Sequence, residues 1–119
     1  MKKFCSFKVS EDDRGILTAF DKFGDFNLKR FYVIDCYEGK WRGNHYHKVS
    51  SQLISVIKGK IEVETISSNS FEKFKMLPGD MFLQIPGYFF KFCSLEKVST
   101  ILVLCDTEHD SSDYYTELK

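Results

Sequence analysis

At 119 residues and 13.9 kDa, with 43% hydrophobic, 29% charged and 16% aromatic residues, the chain has the make-up of a single globular domain, residues 1–119. That composition excludes global disorder, and a core of this size needs no disulfide or metal staple. The 17 basic and 17 acidic side chains cancel, which excludes nucleic-acid or membrane-surface binding by bulk charge; any bound anion needs a local cluster.

The chain opens with Met1-Lys2-Lys3-Phe4-Cys5, has no apolar h-region, and soon reaches Glu11-Asp12-Asp13-Arg14. It is not read as a signal peptide. No stretch approaches the roughly 18 to 20 apolar residues of a spanning helix. None of the cysteines (Cys5, Cys36, Cys93, Cys105) forms a Cys-x-x-Cys pair. Three of them sit in apolar runs, where a reduced thiol acts as a small hydrophobe. The expectation is a reducing cytoplasm and no zinc site.

Strands are expected at 4–9, 16–20, 29–37, 52–58, 61–66, 71–76, 81–85, 88–93 and 100–105, all rich in Phe, Tyr, Val and Ile. Ile61-Glu62-Val63-Glu64-Thr65-Ile66 alternates as a half-buried strand does. Lys58-Gly59-Lys60 predicts a tight hairpin turn between two of these strands. Ser67-Ser68-Asn69-Ser70 and Leu77-Pro78-Gly79-Asp80 predict further turns. No helical repeat persists beyond about 10 residues. Residues 106–119 are polar and predict a loop or one short helix. The pattern is that of an all-β sandwich or barrel of jelly-roll type.

Two of the three histidines stand in Arg42-Gly43-Asn44-His45-Tyr46-His47. Residues two apart on a strand share a side, so His45 and His47 project together. With Gly39, Gln52 and Gly59 the spacing is Gly-x5-His-x-His-x4-Gln-x6-Gly. This resembles the first motif of the cupins, small β-barrels, except that metal-binding cupins carry Glu at the place of Gln52. Their second motif brings a further His after a Pro-Gly pair. Here Pro86-Gly87-Tyr88-Phe89-Phe90-Lys91-Phe92 has none. A metal cupin surrounds its ion with His, His, Glu and His, and a neutral Gln balances no dication. The reading is a metal-free cupin whose histidines act as acid or base.

The chain further resembles the sugar-nucleotide 3,4-ketoisomerases, cupins that act on dTDP-4-keto-6-deoxyglucose. Asp13-Arg14-Gly15-Ile16-Leu17 is similar to that family's Asp-x-Arg-Gly opening without its spacer, an opening shared with dTDP-sugar 3,5-epimerases. Lys29-Arg30-Phe31-Tyr32-Val33-Ile34 is similar to its Arg-x-Tyr strand. Arg42-Gly43-Asn44-His45-Tyr46-His47-Lys48 matches Arg-Gly-x-His-Ala-His-Lys, with Gln52 in register. His109-Asp110-Ser111-Ser112-Asp113-Tyr114 resembles its closing Tyr-Asp-Glu-x-Asp-Tyr. Two departures stand out: Phe89-Phe90 replaces a common Trp-His, and Tyr115-Thr116 follows where an Arg is usual.

The resemblance implies moving a ketone from C4 to C3, feeding an aminotransferase in glycan or O-antigen synthesis. That chemistry needs no cofactor. It needs a base near neutral pKa that carries one proton between adjacent carbons, and a donor to the oxyanion. His47 is the expected shuttle, His45 its partner or oxyanion donor, and Tyr32 a phenolic donor. Tyr32 reads equally well as a core or interface aromatic. Lys outnumbers Arg 14 to 3, and all three arginines fall in motif positions. Arginine's planar fork suits a diphosphate, so Arg14, Arg30 and Arg42 are candidate nucleotide contacts. Arg14 as a hairpin-end charge and Arg30 as a surface charge are the plain alternatives. Gln52 is read as a contact to sugar or base, or as a structural hydrogen bond, and His109 as solvated. The competing activities are a C3 or C3/C5 epimerase and a non-catalytic sugar- or nucleotide-binding cupin. The resemblance also implies a homodimer that shares sheet edges, with a dTDP-linked sugar as substrate.

Overall fold

Period-2 burial sets the architecture. In Ile61–Ser67 the side chains of Ile61, Val63 and Thr65 are buried, and Glu62 and Glu64 between them are not. The computed structural model describes residues 6–67 and 69–115. Its strands are β1 Ser6–Asp12, β2 Gly15–Asp21, β3 Arg30–Tyr37, β4 Arg42–His45 and β5 Gln52–Lys58. They continue with β6 Ile61–Ser67, β7 Ser70–Met76, β8 Met81–Gln84, β9 Phe89–Ser94 and β10 Val98–Cys105. Two four-stranded antiparallel sheets, β3-β10-β5-β8 and β4-β9-β6-β7, enclose the core of an all-β cupin jelly roll. Inward-facing Ile54, Val56, Ile61, Val63, Phe90, Phe92, Ile101 and Val103 fill that core. A second cluster covers the outer face of the first sheet, where Phe26 packs on Leu53 and Leu104. β1 and β2 pair only with each other among the described strands.

Most expected strands lie within a few residues of those observed. The predicted 4–9 strand begins outside the described residues, as does Cys5, and β1 runs on to Asp12. Cys36, Cys93 and Cys105 are free and buried. Ser67–Ser70 closes the β6–β7 hairpin as expected, with Ser68 outside the described residues.

Lys58-Gly59-Lys60 is a correction. It is not a hairpin, because β5 and β6 lie in different sheets and the chain turns a corner between them. Ser99 holds that corner. Its Oγ accepts from Lys60 N at 3.0 Å and donates to Lys60 O at 3.0 Å. Gly59 has φ +93°, and a Cβ there would fall 2.3 Å from Ser99 Oγ. Only glycine permits this approach.

Register then sets the rim of the sandwich. On the first sheet Cys105 lies opposite Arg30 and Gln52, and Gln52 opposite Gln84. On the second, Phe90 lies opposite His45 and Thr65, and Thr65 opposite Glu72. These two rows bound one mouth of the barrel.

Candidate active site

The histidine pair is placed by a distortion of β4. Register shifts between Gly43 and His45 against β9, and Gly43 takes φ +90°, with a would-be Cβ 2.9 Å from Phe90 O. This turns the Gly43 carbonyl to 2.6 Å from His45 Nδ1. A carbonyl only accepts, so His45 Nδ1 carries the proton. β4 ends at His45, and His47 follows the Tyr46–Tyr115 bridge, yet the rings still meet: Nε2 to Nε2 is 3.1 Å. His47 is only 2% exposed, and its main-chain carbonyl accepts from Gly87 N at 2.8 Å.

Behind His47 lies Asp113, with Oδ2 3.5 Å from His47 Nδ1. Its carboxylate accepts from the backbone N–H groups of Lys48 (2.9 Å), Val49 (3.1 Å) and Ser50 (3.0 Å). Asp113 ends a 3-10 turn, Ser111–Asp113, whose cap is Asp110 accepting from Ser112 N. Tyr46 and Tyr115 exchange two backbone hydrogen bonds and fasten the C-terminal segment back over the pair. Tyr114 packs on both imidazoles, with centroids at 4.9 and 4.7 Å, and Phe90 meets His45 edge-on at 5.3 Å.

Burial pushes the His45 pKa down, against the opposing pull of the Gly43 carbonyl. Burial and the neighbouring His45 push His47 down too, against Asp113. Burial would raise Asp113, but the N–H groups of Ser50, Lys48 and Val49 outweigh it and hold the carboxyl below its usual range. Burial pushes the Tyr32 phenol up to about 12, so it stays protonated.

Of the residues predicted from sequence, His47, Arg30 and Gln52 line one pocket, together with Asp113 and Tyr114. Tyr32 borders it: Arg30 lies 4.6 Å over its ring, and the phenol feels Gln52 and Tyr114. Gln52 is buried, its Nε2 3.6 Å from Cys105 Sγ. Arg42 is not brought into this pocket; it is exposed, opposite Phe92. Nor is Arg14, which sits at the β1–β2 turn paired with Asp12 at 2.7 Å, its side chain 86% exposed. His109 is exposed, as expected for a solvated residue, yet it also lines the pocket and stands 5.8 Å from Tyr114. Sequence reasoning does not single out Asp113. Its only signal was its place in the closing Asp-Tyr pair. A divalent ion does not fit this donor set: among the described residues no three His, Cys, Asp or Glu converge, and Gln52 is neutral.

The family model described as FdtA: WxcM-like, C-terminal matches residues 1–119. No curated protein matches the chain in sequence. Among solved structures, the QdtA sugar 3,4-ketoisomerase of Thermoanaerobacterium thermosaccharolyticum, in complex with TDP, is 22% identical. Its TM-score is 0.79, over 98% of this chain and 90% of that one. The WlaRB TDP-quinovose 3,4-ketoisomerase of Campylobacter jejuni is 24% identical with TM-score 0.76, over 98% of this chain and 95% of that one. The dTDP-4-dehydrorhamnose 3,5-epimerase of Bacillus anthracis, with TDP and PPi bound, is 20% identical. Its TM-score is 0.73, over 91% of this chain and 73% of that one. The fold is common to all of them.

Proposed function

The chain belongs to the family described as FdtA: WxcM-like, C-terminal, and from that membership we propose that it is a sugar-nucleotide 3,4-ketoisomerase. The substrate is a dTDP-linked 4-keto-6-deoxyhexose, and the setting is deoxysugar synthesis for cytoplasmic assembly of glycans such as O-antigen. No metal or other cofactor takes part.

The observation that carries this reading is the proton count of the histidine pair. Three contacts each call for one proton: His45 Nδ1 to Gly43 O, Nε2 to Nε2, and His47 Nδ1 to Asp113. Two neutral imidazoles carry one N–H each. In the neutral pair His45 donates to Gly43, so a single remaining N–H must serve both the Nε2–Nε2 contact and Asp113, and one of those two is short of a proton. Uptake of one proton supplies the third N–H, and Asp113 balances the charge. A base that moves a single proton between neighbouring carbons needs this capacity for one.

In the reaction the pair takes the proton from C3, and the electrons of that C–H bond form the C3=C4 enediolate with charge on O4. The pair returns the proton to C4, the O3 hydroxyl proton passes to O4, and the ketone stands at C3. Tyr32 donates to the developing oxyanion, and Arg30 holds the diphosphate with His109 at the pocket edge. Gln52 contacts the sugar. Arg42 and Arg14 lie outside the pocket of the protomer. A homodimer is part of the proposal, because Phe31, Val33 and Tyr37 on β3 and Ile16 and Leu17 on β2 leave apolar side chains exposed.

Proton NMR of dTDP-4-keto-6-deoxyglucose with the protein in deuterium oxide tests the reading. The expected product is a 3-keto-6-deoxy species with deuterium at C4, absent with His47→Asn. Deuterium at C3 or C5 with the ketone still at C4 would make it an epimerase. No exchange would mean a different nucleotide or a binding protein.

A further inference from the structure

Beyond Gln52, the same barrel mouth holds a cavity of about 120 Å³ between the sheet edges, lined by Thr65, Glu72, Phe82, Gln84 and Tyr88 among others. Gln84 is 0% exposed. Its Nε2 donates to the Tyr88 carbonyl. A carbonyl cannot donate in return, so the amide's orientation is determined. Its Oε1 is left buried with no partner. The cross-strand neighbour Gln52 repeats the pattern: Nε2 is engaged by Cys105 Sγ and Oε1 has no partner. Native proteins leave few buried acceptors unpaired, because the hydration lost on burial is then not replaced. Two such oxygens at one register level mark a surface waiting for donors.

The charges on the two sides of the mouth differ. The histidine pocket is lined by Arg30, His47 and His109 as well as by Glu108, Asp110 and Asp113, so it alone of the two holds a cation. The lining of the second cavity contains no Lys, Arg or His; its polar side chains are Gln84, the buried Thr65, Glu72 and Tyr88. A lining with a carboxylate, an unpaired amide oxygen and no cation repels phosphate and receives hydroxyls.

We infer that Gln84 and Thr65 form a subsite for a hydroxyl-bearing edge of the hexose, with Gln84 Oε1 as acceptor and the diphosphate held on the Arg30 side. The inference rests on the sugar-nucleotide reading and adds residues that no motif in the sequence singled out. Gln84 then acts on the sugar and not on the nucleotide.

Titration calorimetry with dTDP and with dTDP-glucose tests this. dTDP-glucose carries the hydroxyls but no ketone, so binding is measured without turnover. Wild type is expected to bind dTDP-glucose more tightly than dTDP. Gln84→Met keeps the volume and removes the acceptor; it is expected to weaken dTDP-glucose about tenfold and leave dTDP within about twofold. Thr65→Val gives a smaller loss in the same sense, and serves if the first variant does not fold. Equal weakening of both ligands, or of neither, overturns the inference. Wild type that binds neither ligand overturns the sugar-nucleotide reading as well, a result visible before any variant is made.

Discussion

The barrel mouth and the β1–β2 hairpin are held together in opposite ways. At the mouth, Asp113 ties the segment after His47 to the C-terminal turn through three buried or part-buried backbone bonds, and Tyr46 and Tyr115 close it from outside. At the hairpin, the side-chain pair Arg14–Asp12 is exposed, and Ile16 and Leu17 are more than half exposed at 64% and 62%. Among the described residues, the Phe7–Phe20 stack, at 4.4 Å, and the contact of Phe20 with the outer apolar cluster anchor its base. A lone two-stranded hairpin is marginal in water. Rigid geometry therefore belongs to the mouth, where chemistry needs it, and unused apolar surface belongs to the hairpin.

The largest effect should come from the mouth. His47→Asn is expected to cut ketone migration about 10²- to 10⁴-fold, measured by NMR of the keto sugar, with little change in the melting midpoint. Arg14→Ala at the hairpin should leave the fold of the protomer unaltered. A loss of ketone migration with Arg14→Ala that matched the loss with His47→Asn would erase the contrast.

Asp113→Asn should come next. It removes the charge that opposes the depression of the His47 pKa. We expect kcat to fall at least tenfold, about 1.4 kcal/mol of barrel-mouth transition-state stabilisation. The acid limb of the pH–rate profile, already below the ordinary histidine value of about 6.5, should move to still lower pH. An unmoved limb would mean that Asp113 only supports the backbone. Stability carries the same sign. In the unfolded chain both imidazoles regain their ordinary affinity for protons, so the unfolded state binds more protons below about pH 6.5 and stability is lost as pH falls. Asp113, held below its usual range in the fold, adds to that loss at lower pH still. Denaturant melts across pH 2–7 would check both.

Much of this was legible in the sequence. Short aromatic runs gave the all-β class, because period-2 burial needs only local residue types. The two-residue spacing of His45 and His47 brought their rings together even though β4 stops at His45. What could not be read depended on distant partners. Lys58-Gly59-Lys60 looks like a hairpin turn locally, and Ser99, from another strand, makes it a corner. Asp113 lies in a polar tail, and its partner Lys48 is 65 residues away. Arg14 sits in a motif of the sequence, but no motif says that its strand pair stands apart from the barrel.

Glycine substitutions sharpen the contrast on stability. Gly59→Ala drives a methyl into Ser99, with Ser99 Cα itself only 2.8 Å from the new atom. The expected cost is about 1–3 kcal/mol. Gly15→Ala in the hairpin meets nothing within 4 Å, so only its φ of +144° opposes the change, and the loss should be nearer 1 kcal/mol. Chemical denaturation of the two variants should rank them in that order.

The smallest effect on a single protomer, and the one most telling about assembly, is expected from Ile16→Glu combined with Leu17→Glu. Both side chains are exposed, so two added charges should alter protomer packing little, as surface changes usually stay within about 0.5 kcal/mol. If a second copy covers this face, burying two unpaired carboxylates there is prohibitive and the dimer should dissociate. Light scattering after size exclusion would then show half the wild-type mass. An unchanged mass would place the subunit contact elsewhere, with the exposed Phe31 and Val33 on β3 as the next apolar surface to charge.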